Sequence, residues 1–287
     1  MIRFETEGRP SNIGFPVRRL LPGPGLRSVG PFIFLDHMGP ARFQAGTTEG
    51  DVRPHPHIGL STFTYLFEGA MQHRDSLGTA MRIEPGAVNL MTAGRGIVHS
   101  ERFPADLRAQ GETVQGIQMW LALPCSLEEC APSFEHTPRH ALPCWVENGA
   151  HTRLLAGEAW GARSPVTTHL ATFCAAVELE PGAQISLPVW PERAVYLLDG
   201  TVHLGAATAH GPRLLVPETT GEVRLVAHTF ARLMLIGGEP PDGPRYLDWN
   251  FVSSRRDRLQ AAREAWQAGH FAPIPGETES IPLPGTD

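Results

Sequence analysis

Glycine and proline divide this sequence into short apolar runs. The 287 residues include 30 Gly and 27 Pro, spread along the whole chain, and this frequency disfavours long helices. The runs are β-branched or aromatic in character and are bounded by turn residues, a pattern typical of a β-sandwich or β-barrel. We therefore predict an all-β chain. The predicted strands lie in Pro31–Leu35, Thr62–Phe67, Val88–Met91, Gly116–Leu123, Ala194–Leu198, Arg213–Val216, Glu222–Val226 and Ala231–Ile236.

One segment near the C-terminus has the periodicity of a helix. Ser254 stands at the N-cap position, and Leu259, Ala262 and Trp266 follow at helical spacing. Gly269 then supplies a stop. We predict a short helix near residues 254–268, with its arginines on a solvated face.

A faint internal repeat indicates two domains of similar topology. Residues 62–69, TFTYLFEG, resemble residues 193–200, RAVYLLDG, at an offset of 131 residues. Both segments are predicted strands that end in an acidic residue and a glycine. The irregular stretch 124–143 lies between them, so we predict two tandem domains. The first covers residues 1–134, and the second covers residues 135–287, including the helix near 254–268.

The charged residues exclude several functional classes. All 24 basic residues are arginine, and the chain contains no lysine. It therefore has neither a Schiff-base lysine nor a phosphate-loop lysine. The 30 acidic residues give a net charge of −6, and no basic surplus exists to neutralise a nucleic-acid backbone. Direct nucleic-acid binding is therefore not expected. The 13 histidines are more informative, because histidine is the commonest metal ligand.

The cysteines and the first residues favour a cytoplasmic location. Cys125, Cys130, Cys144 and Cys174 form no C-x-x-C pair, and in a chain of this length they indicate no disulfide framework. The first three of them are expected to be buried thiols. The opening MIRFETEGRP lacks an apolar signal core, and no stretch approaches the roughly 18 apolar residues that a membrane helix needs. No membrane association is expected.

Two histidine motifs carry the strongest chemical signal. RPHPH places His55 two residues before His57, and GRGIVHSE places His99 two residues before Glu101. Side chains at i and i+2 of a strand share a face, so two such pairs on neighbouring strands can meet at one point. Three neutral imidazoles and one carboxylate leave an octahedral metal two open positions, which suits iron, nickel, copper, manganese or cobalt. The glycines around Arg95 permit a tight turn before the second pair.

A further pair, His73 and Asp75, has two interpretations. It follows Gly69 in a turn-rich segment, where it is either an additional ligand set or a hydrogen-bonded loop network. The loop network is the preferred interpretation. No G-x-S-x-G elbow supports serine-hydrolase chemistry.

Several motifs together resemble the pirin family, and the resemblance covers nearly the whole chain. It implies a bicupin, with two jelly-roll-like β-barrels stacked face to face and one metal in the N-terminal barrel. It assigns His55, His57, His99 and Glu101 as the ligands. The expected cofactor is one divalent transition metal per chain, with Fe(II) favoured over nickel, copper, manganese, cobalt and zinc. The matching segments are residues 34–40, 53–57, 65–69, 73–75, 85–86, 91–101, 116–124, 199–200 and 235–240.

Two positions qualify the resemblance. Cupins usually place a glutamate about four residues after the H-x-H, and here that position holds Ser61, so the metal carboxylate would come from Glu101 alone. The offset of 131 residues places Ser186 and Pro188 opposite the two histidines of H-x-H. Neither side chain binds a metal as imidazole does, so the second barrel is expected to lack a metal site.

The resemblance leaves two functions open. In the first, the protein is a dioxygenase that opens a flavonol such as quercetin with O2, and Glu101 is the general base that takes the proton of the 3-hydroxyl. In the second, it is a non-catalytic, metal-dependent and redox-sensing regulator that binds a protein partner. The enzyme is the preferred interpretation.

Overall fold

β-Strands dominate the computed structural model, which describes residues 2–218 and 221–285. Two α-helices and two single turns of 3-10 helix, Cys125–Leu127 and Arg139–Ala141, interrupt the strands. The strands and helices are β1 Ile2–Thr6, β2 Arg9–Asn12, β3 Pro16–Leu21, β4 Phe32–Ala41, β5 Val52–His57, β6 Leu60–Glu68, β7 Met71–Asp75, β8 Ala80–Ile83, β9 Val88–Thr92, β10 Ile97–Arg102, α1 Ala105–Gln110, β11 Val114–Ala122, β12 Ser133–Thr137, β13 Cys144–Glu147, β14 Ala150–Ala159, β15 Ala162–Arg163, β16 Thr172–Leu179, β17 Gln184–Ser186, β18 Glu192–Asp199, β19 Thr201–Leu204, β20 Ala207–His210, β21 Arg213–Pro217, β22 Arg224–Ala227, β23 Ala231–Gly238, β24 Tyr246–Asp248, β25 Phe251–Ser253 and α2 Arg256–Gln267.

The apolar runs and the C-terminal helix are confirmed, with one correction at the helix start. Each predicted run overlaps a strand, and α2 occupies the predicted segment. Ser254 is not the N-cap: that position is Arg255, which makes no side-chain capping bond. The Ser254 hydroxyl instead donates to the Glu128 carboxylate at 2.9 Å, because a buried carboxylate competes for it more strongly than an exposed helix end does.

The chain divides into two compact units, and their boundaries differ from the predicted domains 1–134 and 135–287. The first unit comprises residues 10–18, 36–139 and 241–287, and the second comprises residues 1–9, 19–35 and 140–240. The helix α2 was predicted in the second domain but lies in the first unit. The reason is that α2 packs beside Phe251 and Ile58 in one apolar cluster of that unit. Sequence continuity alone could not reveal this return of the chain.

Each unit is a β-sandwich of one large and one four-stranded sheet, and these sheets are not closed into barrels. In the first unit the small sheet has the order β5-β10-β7-β8, and in the second it has the order β17-β22-β19-β20. The large sheets run β12-β9-β6-β11-β4-β3-β2 and β1-β21-β18-β23-β16-β14-β13, with β15 paired to β14. The orders correspond strand for strand, which confirms the repeat seen in the sequence. β6 and β18, the two repeated segments, occupy the same place in their sheets.

The core of each unit lies between its two sheets. In the second unit, fully buried Phe173, Val195 and Leu235 from the large sheet belong to one apolar cluster with Leu225 from the small sheet. Burying an aliphatic or aromatic side chain of this size stabilises a fold by about 1.5–3 kcal/mol. The facing sheets therefore hold the strands of the small sheet in a fixed position.

The cysteines and the helices complete the description. All four cysteines are free, but the prediction of buried thiols is wrong for Cys125 and Cys144, which are exposed. Cys125 begins a turn of 3-10 helix and Cys144 begins the strand β13, and neither side chain points into the core. Within residues 2–218 and 221–285, α1 and α2 have six and twelve residues, too few to span a bilayer.

Candidate metal centre

The first unit brings the predicted histidines together on its small sheet. β5 and β10 are antiparallel neighbours, and His55 lies directly opposite His99 in their register. His57, two residues beyond His55, shares its face. The ring centroids of the three histidines lie 4.4–5.0 Å apart. All three side chains are buried, so the sheet gathers them into one enclosed cluster.

Backbone carbonyls fix the protonation of two of these rings. His55 Nδ1 lies 2.9 Å from the carbonyl oxygen of Arg53, and His57 Nδ1 lies 3.0 Å from that of Asn250. A carbonyl oxygen only accepts, so each Nδ1 must carry a hydrogen and donate it. The remaining nitrogen of each ring, Nε2, therefore keeps its lone pair. This is the tautomer that a metal-binding histidine adopts when its second nitrogen has a partner.

A buried relay does the same for the third ring. His73 Nε2 lies 2.9 Å from Asp75 Oδ2, and because a carboxylate oxygen only accepts, the hydrogen of this bond is on Nε2. In the neutral ring His73 Nδ1 is an acceptor, and His99 Nδ1 donates to it at 3.4 Å. Among the described residues, His99 Nε2 is buried and has no hydrogen-bond partner. The relay thus leaves an uncommitted lone pair at the centre.

The three rings fit a transition-metal ion. Each offers one nitrogen, and these nitrogens all lie within 4.8 Å of one another. Burial lowers the pKa of His55 to about 4, and burial together with the neighbouring imidazoles lowers the pKa of His57 and His99 well below the ordinary value. All three rings are therefore neutral at pH 7, and each can bind a metal through a nitrogen lone pair. Converging neutral imidazoles suit zinc, copper, iron or nickel.

Glu101 is buried beside the cluster but does not belong to the group of ligand atoms within 4.8 Å of one another. The register between β10 and β5 shifts between His99 and Glu101, with one extra residue on β5, so Glu101 lies opposite Val52. Its Oε1 accepts from Gln118 Nε2 at 3.3 Å, and Gln118 Oε1 accepts from the Thr64 hydroxyl at 2.8 Å. Burial raises the pKa of Glu101 to about 7 against the opposing effect of Gln118. The role of Glu101 as fourth ligand stays a prediction.

The turn before β10 is as predicted from its glycines. Gly94 has φ +51°, and a Cβ there would lie 2.2 Å from the carbonyl oxygen of Cys130. The Gly96 N–H donates to the Ala93 carbonyl at 2.9 Å and closes the turn. Only glycine fits this close approach, so the turn delivers His99 to the sheet in its observed register.

Sequence reasoning missed several residues that support the centre. Asn250 contacts His57 from 193 positions away, and nothing local signals such a contact. Gln118 and Trp120 share one face of β11, and the Trp120 ring lies 5.2 Å from that of His57. The sequence favours a loop network for the pair His73 and Asp75, but the pair lies on the strand β7. Its i, i+2 spacing was the available signal, since both side chains then face the sheet interior.

The corresponding positions of the second unit carry apolar side chains. Ile185 pairs with Leu225 in the β17–β22 ladder, as His55 pairs with His99, and both belong to the apolar core or pack against it. Leu187 follows at the place of His57 and is buried. The predicted counterparts Ser186 and Pro188 are therefore wrong by one residue. A shift of one residue exchanges the two faces of a strand, and the Ser186 hydroxyl donates to the exposed Glu222 instead.

Two β-sandwich units of the same strand order, one with a buried three-histidine centre, define a bicupin. Residues 14–121 match the family model Pirin, and residues 174–272 match the model of the Pirin C-terminal cupin domain. The chain belongs to the pirin family, and the resemblance noted in its motifs is confirmed.

Named relatives and solved structures agree with this assignment. A pirin-like protein of Caulobacter vibrioides is 47% identical, covering 99% of this chain and 100% of that protein. Human pirin is 29% identical, covering 91% of this chain and 88% of that protein. The crystal structure of a quercetin 2,3-dioxygenase from Acinetobacter baumannii has a TM-score of 0.89 at 36% identity, covering 99% of this chain and 95% of that one. The chain is similar to each of these along nearly its whole length.

Proposed function

We propose that the protein is a metal-dependent dioxygenase that opens a flavonol such as quercetin with O2. The observation that carries the proposal is the buried three-histidine centre with a carboxyl beside it whose pKa lies near 7. Similarity to the Acinetobacter baumannii quercetin 2,3-dioxygenase supports the substrate class. The proposed cofactor is one divalent metal, with Fe(II) favoured, held by His55, His57 and His99 with Glu101 as the fourth ligand.

The side chains divide the work between holding and proton transfer. When bound, the metal supplies a Lewis acid and a template for the 3-hydroxyl and 4-carbonyl oxygens of the flavonol. Glu101 takes the proton of the 3-hydroxyl, because a carboxylate beside the substrate oxygen can act as a general base. Gln118 Nε2 donates to Glu101 Oε1, which orients the carboxylate for both the metal contact and the proton transfer. O2 then adds to the deprotonated ring, the two ring bonds to C3 break, C3 leaves as carbon monoxide, and both atoms of O2 stay in the ring-opened product.

Burial contributes by excluding water from the reacting groups. The Trp120 ring stands edge-on to the His57 ring at 5.2 Å, so an apolar surface borders the imidazoles. A low local dielectric strengthens the interaction of the carboxylate with the proton it accepts. Trp120 is thus proposed to line the substrate side of the centre.

An aerobic assay with quercetin and Fe(II)-loaded protein tests the proposal. We expect loss of the flavonol absorbance over many turnovers, with carbon monoxide released. Glu101→Gln should retain bound metal and lose most of the turnover, about 10²-fold or more, because an amide cannot take the proton of the 3-hydroxyl. Glu112→Gln makes the same change at an exposed position and should match the unsubstituted protein.

Two results contradict the proposal. Full activity in Glu101→Gln would remove the assigned role of the carboxylate. No turnover with iron, nickel, copper, manganese, cobalt or zinc would favour the alternative, a metal-dependent redox-sensing regulator that binds a protein partner. The cytoplasmic location stays a prediction, and cell fractionation checks it.

A further inference from the structure

The second unit contains a cavity of about 490 Å³ that the proposed reaction does not use. It opens beside the edge strands β13 and β17, where the two sheets of this unit meet. Trp145, Trp160, Ala162 and Ile185 form its apolar lining, and Thr152 lies among them. The volume is within the range of small-molecule sites, and polar side chains such as Asn148 and Gln184 line it together with the apolar ones.

Thr152 is the polar group of this lining that lacks a partner. Its residue is only 3% exposed, and within the described residues its Oγ1 has no hydrogen-bond partner. Thr152 pairs with Trp145 across β13–β14 and with Val177 across β14–β16, and Val177 belongs to the core cluster of the unit. The hydroxyl therefore faces the inside of the sandwich. An unpaired buried hydroxyl costs free energy. Because Oγ1 is closed to solvent, a ligand in the cavity recovers this cost only when the Thr152 side chain rotates about χ1 and turns the hydroxyl toward it.

Two indole rings form a wall next to this hydroxyl. The centroids of Trp145 and Trp160 lie 5.8 Å apart at an interplanar angle of 69°. The Trp160 Nε1–H donates to the Ser186 carbonyl at 2.9 Å, so this ring is held in place by the edge strand β17. A pre-ordered aromatic wall favours a flat aromatic ligand, because ring contacts stabilise beyond the area that they bury.

The charges at the rim favour a neutral ligand. One cation, Arg224, and one anion, Glu147, line the opening, so their charges cancel. Arg224 also has an acidic neighbour outside the lining, with its Nη2 3.7 Å from Glu222 Oε1. The site therefore offers no net attraction for an anion.

We propose that this cavity binds a neutral planar phenol independently of the metal centre. The phenol hydroxyl exchanges a hydrogen bond with Thr152 Oγ1, and the aromatic ring lies against Trp145 and Trp160. The proposal does not depend on the dioxygenase reaction, because the inward positions on β17 and β22 carry Ile185 and Leu225 and offer no metal ligand.

Indole N–H signals locate the ligand directly. The chain has six tryptophans, and NMR of ¹⁵N-labelled, EDTA-treated full-length protein is followed as 2-naphthol is added. We expect saturable shifts at the Trp145 and Trp160 indole signals, assigned with Trp→Phe variants. The Trp120 signal should not move, because that ring borders His57 in the first unit.

A threonine pair supplies the matched variants. Thr152→Val keeps the shape and removes the hydroxyl, so 2-naphthol should bind about fivefold more weakly. The melting temperature should stay equal or rise, because no bond within the protein is lost. Thr137→Val makes the same change at a buried position of the first unit and should leave the Kd for 2-naphthol unchanged.

Several results would overturn the proposal. They are the absence of saturable shifts, shifts confined to Trp120, an unchanged Kd in Thr152→Val, and tighter binding of the anion 2-naphthoate than of 2-naphthol. Because metal is removed throughout, failure of the dioxygenase assay does not affect this outcome. Saturable shifts at Trp145 and Trp160 in turn leave the assignment of the reaction untouched.

Discussion

The placement of protons on individual side chains decides what the centre can bind. Each of the three histidines has one nitrogen committed to a neighbour, and in each case the neighbour is an acceptor. For His55 that neighbour is two residues away, while for His57 it is Asn250. The motif H-x-H therefore identifies the ligands and includes the local partner of His55, but the contact that fixes the His57 ring comes from a distant part of the chain.

Metal-free protein should lose stability on acidification. Burial holds the pKa of His55 at about 4, below the ordinary 6.5, so the unfolded state binds a proton more readily than the folded state between these values. Stability therefore falls as the pH drops from about 6.5 to about 4, on the order of 3 kcal/mol for this group. The lowered pKa values of His57 and His99 act in the same direction. Urea unfolding in EDTA at several pH values measures the effect.

The raised pKa of Glu101 opposes this loss of stability on acidification, and a substitution of Glu101 provides the control. Its pKa is raised from 4.5 to about 7, so the folded state binds the proton more readily and gains stability as the pH falls through that range. Glu101→Gln removes this gain. The variant should therefore lose more stability between pH 7 and pH 4 than the unsubstituted protein does. A smaller loss would contradict the assigned pKa directions.

Asp75→Asn should weaken metal binding without unfolding the site. Asp75 Oδ1 accepts hydrogen bonds from the Leu77 and Thr79 N–H groups, and the oxygen of the Asn amide can accept the same two bonds. Its NH2 faces His73 and reverses the hydrogen-bond direction, so His99 Nδ1 can no longer donate and the hydrogen moves to Nε2. We expect a 10- to 100-fold loss of metal affinity by competitive chelator titration. Asp106→Asn, at an exposed ion pair, should bind metal normally, and equal losses in both variants would refute the relay.

At the scale of elements, register separates what the sequence could predict from what it could not. Alternation along β5 and β10 correctly placed the three histidines on one face, because the side-chain period of a strand is two. The same period made the comparison with β17 fail, since an offset wrong by one residue selects Ser186 instead of Ile185. The bulge beside Glu101 was likewise invisible, because it depends on pairing and not on composition.

The segment after α2 forms hydrogen bonds with β5 and β10, the strands that carry the proposed metal ligands. Glu277 accepts from the Ser100 hydroxyl and from Arg102 Nη2, both at 2.6 Å, and these residues flank Glu101 on β10. The Ile281 N–H donates to the Pro54 carbonyl at 2.9 Å, next to His55. The two strands that carry the ligands are thus held on their outer side by Glu277 and Ile281, which come much later in the chain.

Glu277→Gln should destabilise the first unit. The Glu277 side chain is 8% exposed, and an amide cannot accept both bonds with a full charge, so we expect a loss of about 2 kcal/mol in the free energy of unfolding. Urea denaturation measures this loss. Glu279→Gln is the matched control, because Glu279 also bonds Arg102 but is 53% exposed and should contribute less than about 1 kcal/mol. Equal losses of stability in the two variants would show that the buried contacts of Glu277 contribute no more than the exposed contact of Glu279.

At the scale of the whole molecule, one strand order serves two purposes. The first unit fills the inner positions of its small sheet with imidazoles and a carboxyl, whereas the second fills them with Ile185, Leu225 and Ala227. The order of the strands therefore does not by itself determine whether a unit binds metal. The side chains at the inward positions of the small sheet determine whether the unit can bind metal.

This difference predicts one metal ion per chain. Elemental analysis of purified protein loaded with metal and then desalted should return about one equivalent, because the second unit offers apolar side chains at the corresponding positions. His55→Ala should lower the bound metal to near zero. His151→Ala, which removes an exposed histidine of the second unit, should leave it unchanged. Two equivalents in the unsubstituted protein would overturn the prediction.

The return of residues 241–287 to the first unit has a consequence for biosynthesis. When a ribosome has translated as far as residue 139, every ligand of the metal centre exists, but the carbonyl of Asn250 and the carboxylate of Glu277 do not. The usual order, in which an N-terminal domain is complete while the rest is still being made, therefore does not apply to this unit. Its centre is completed only after Asn250 and Glu277 have been synthesised.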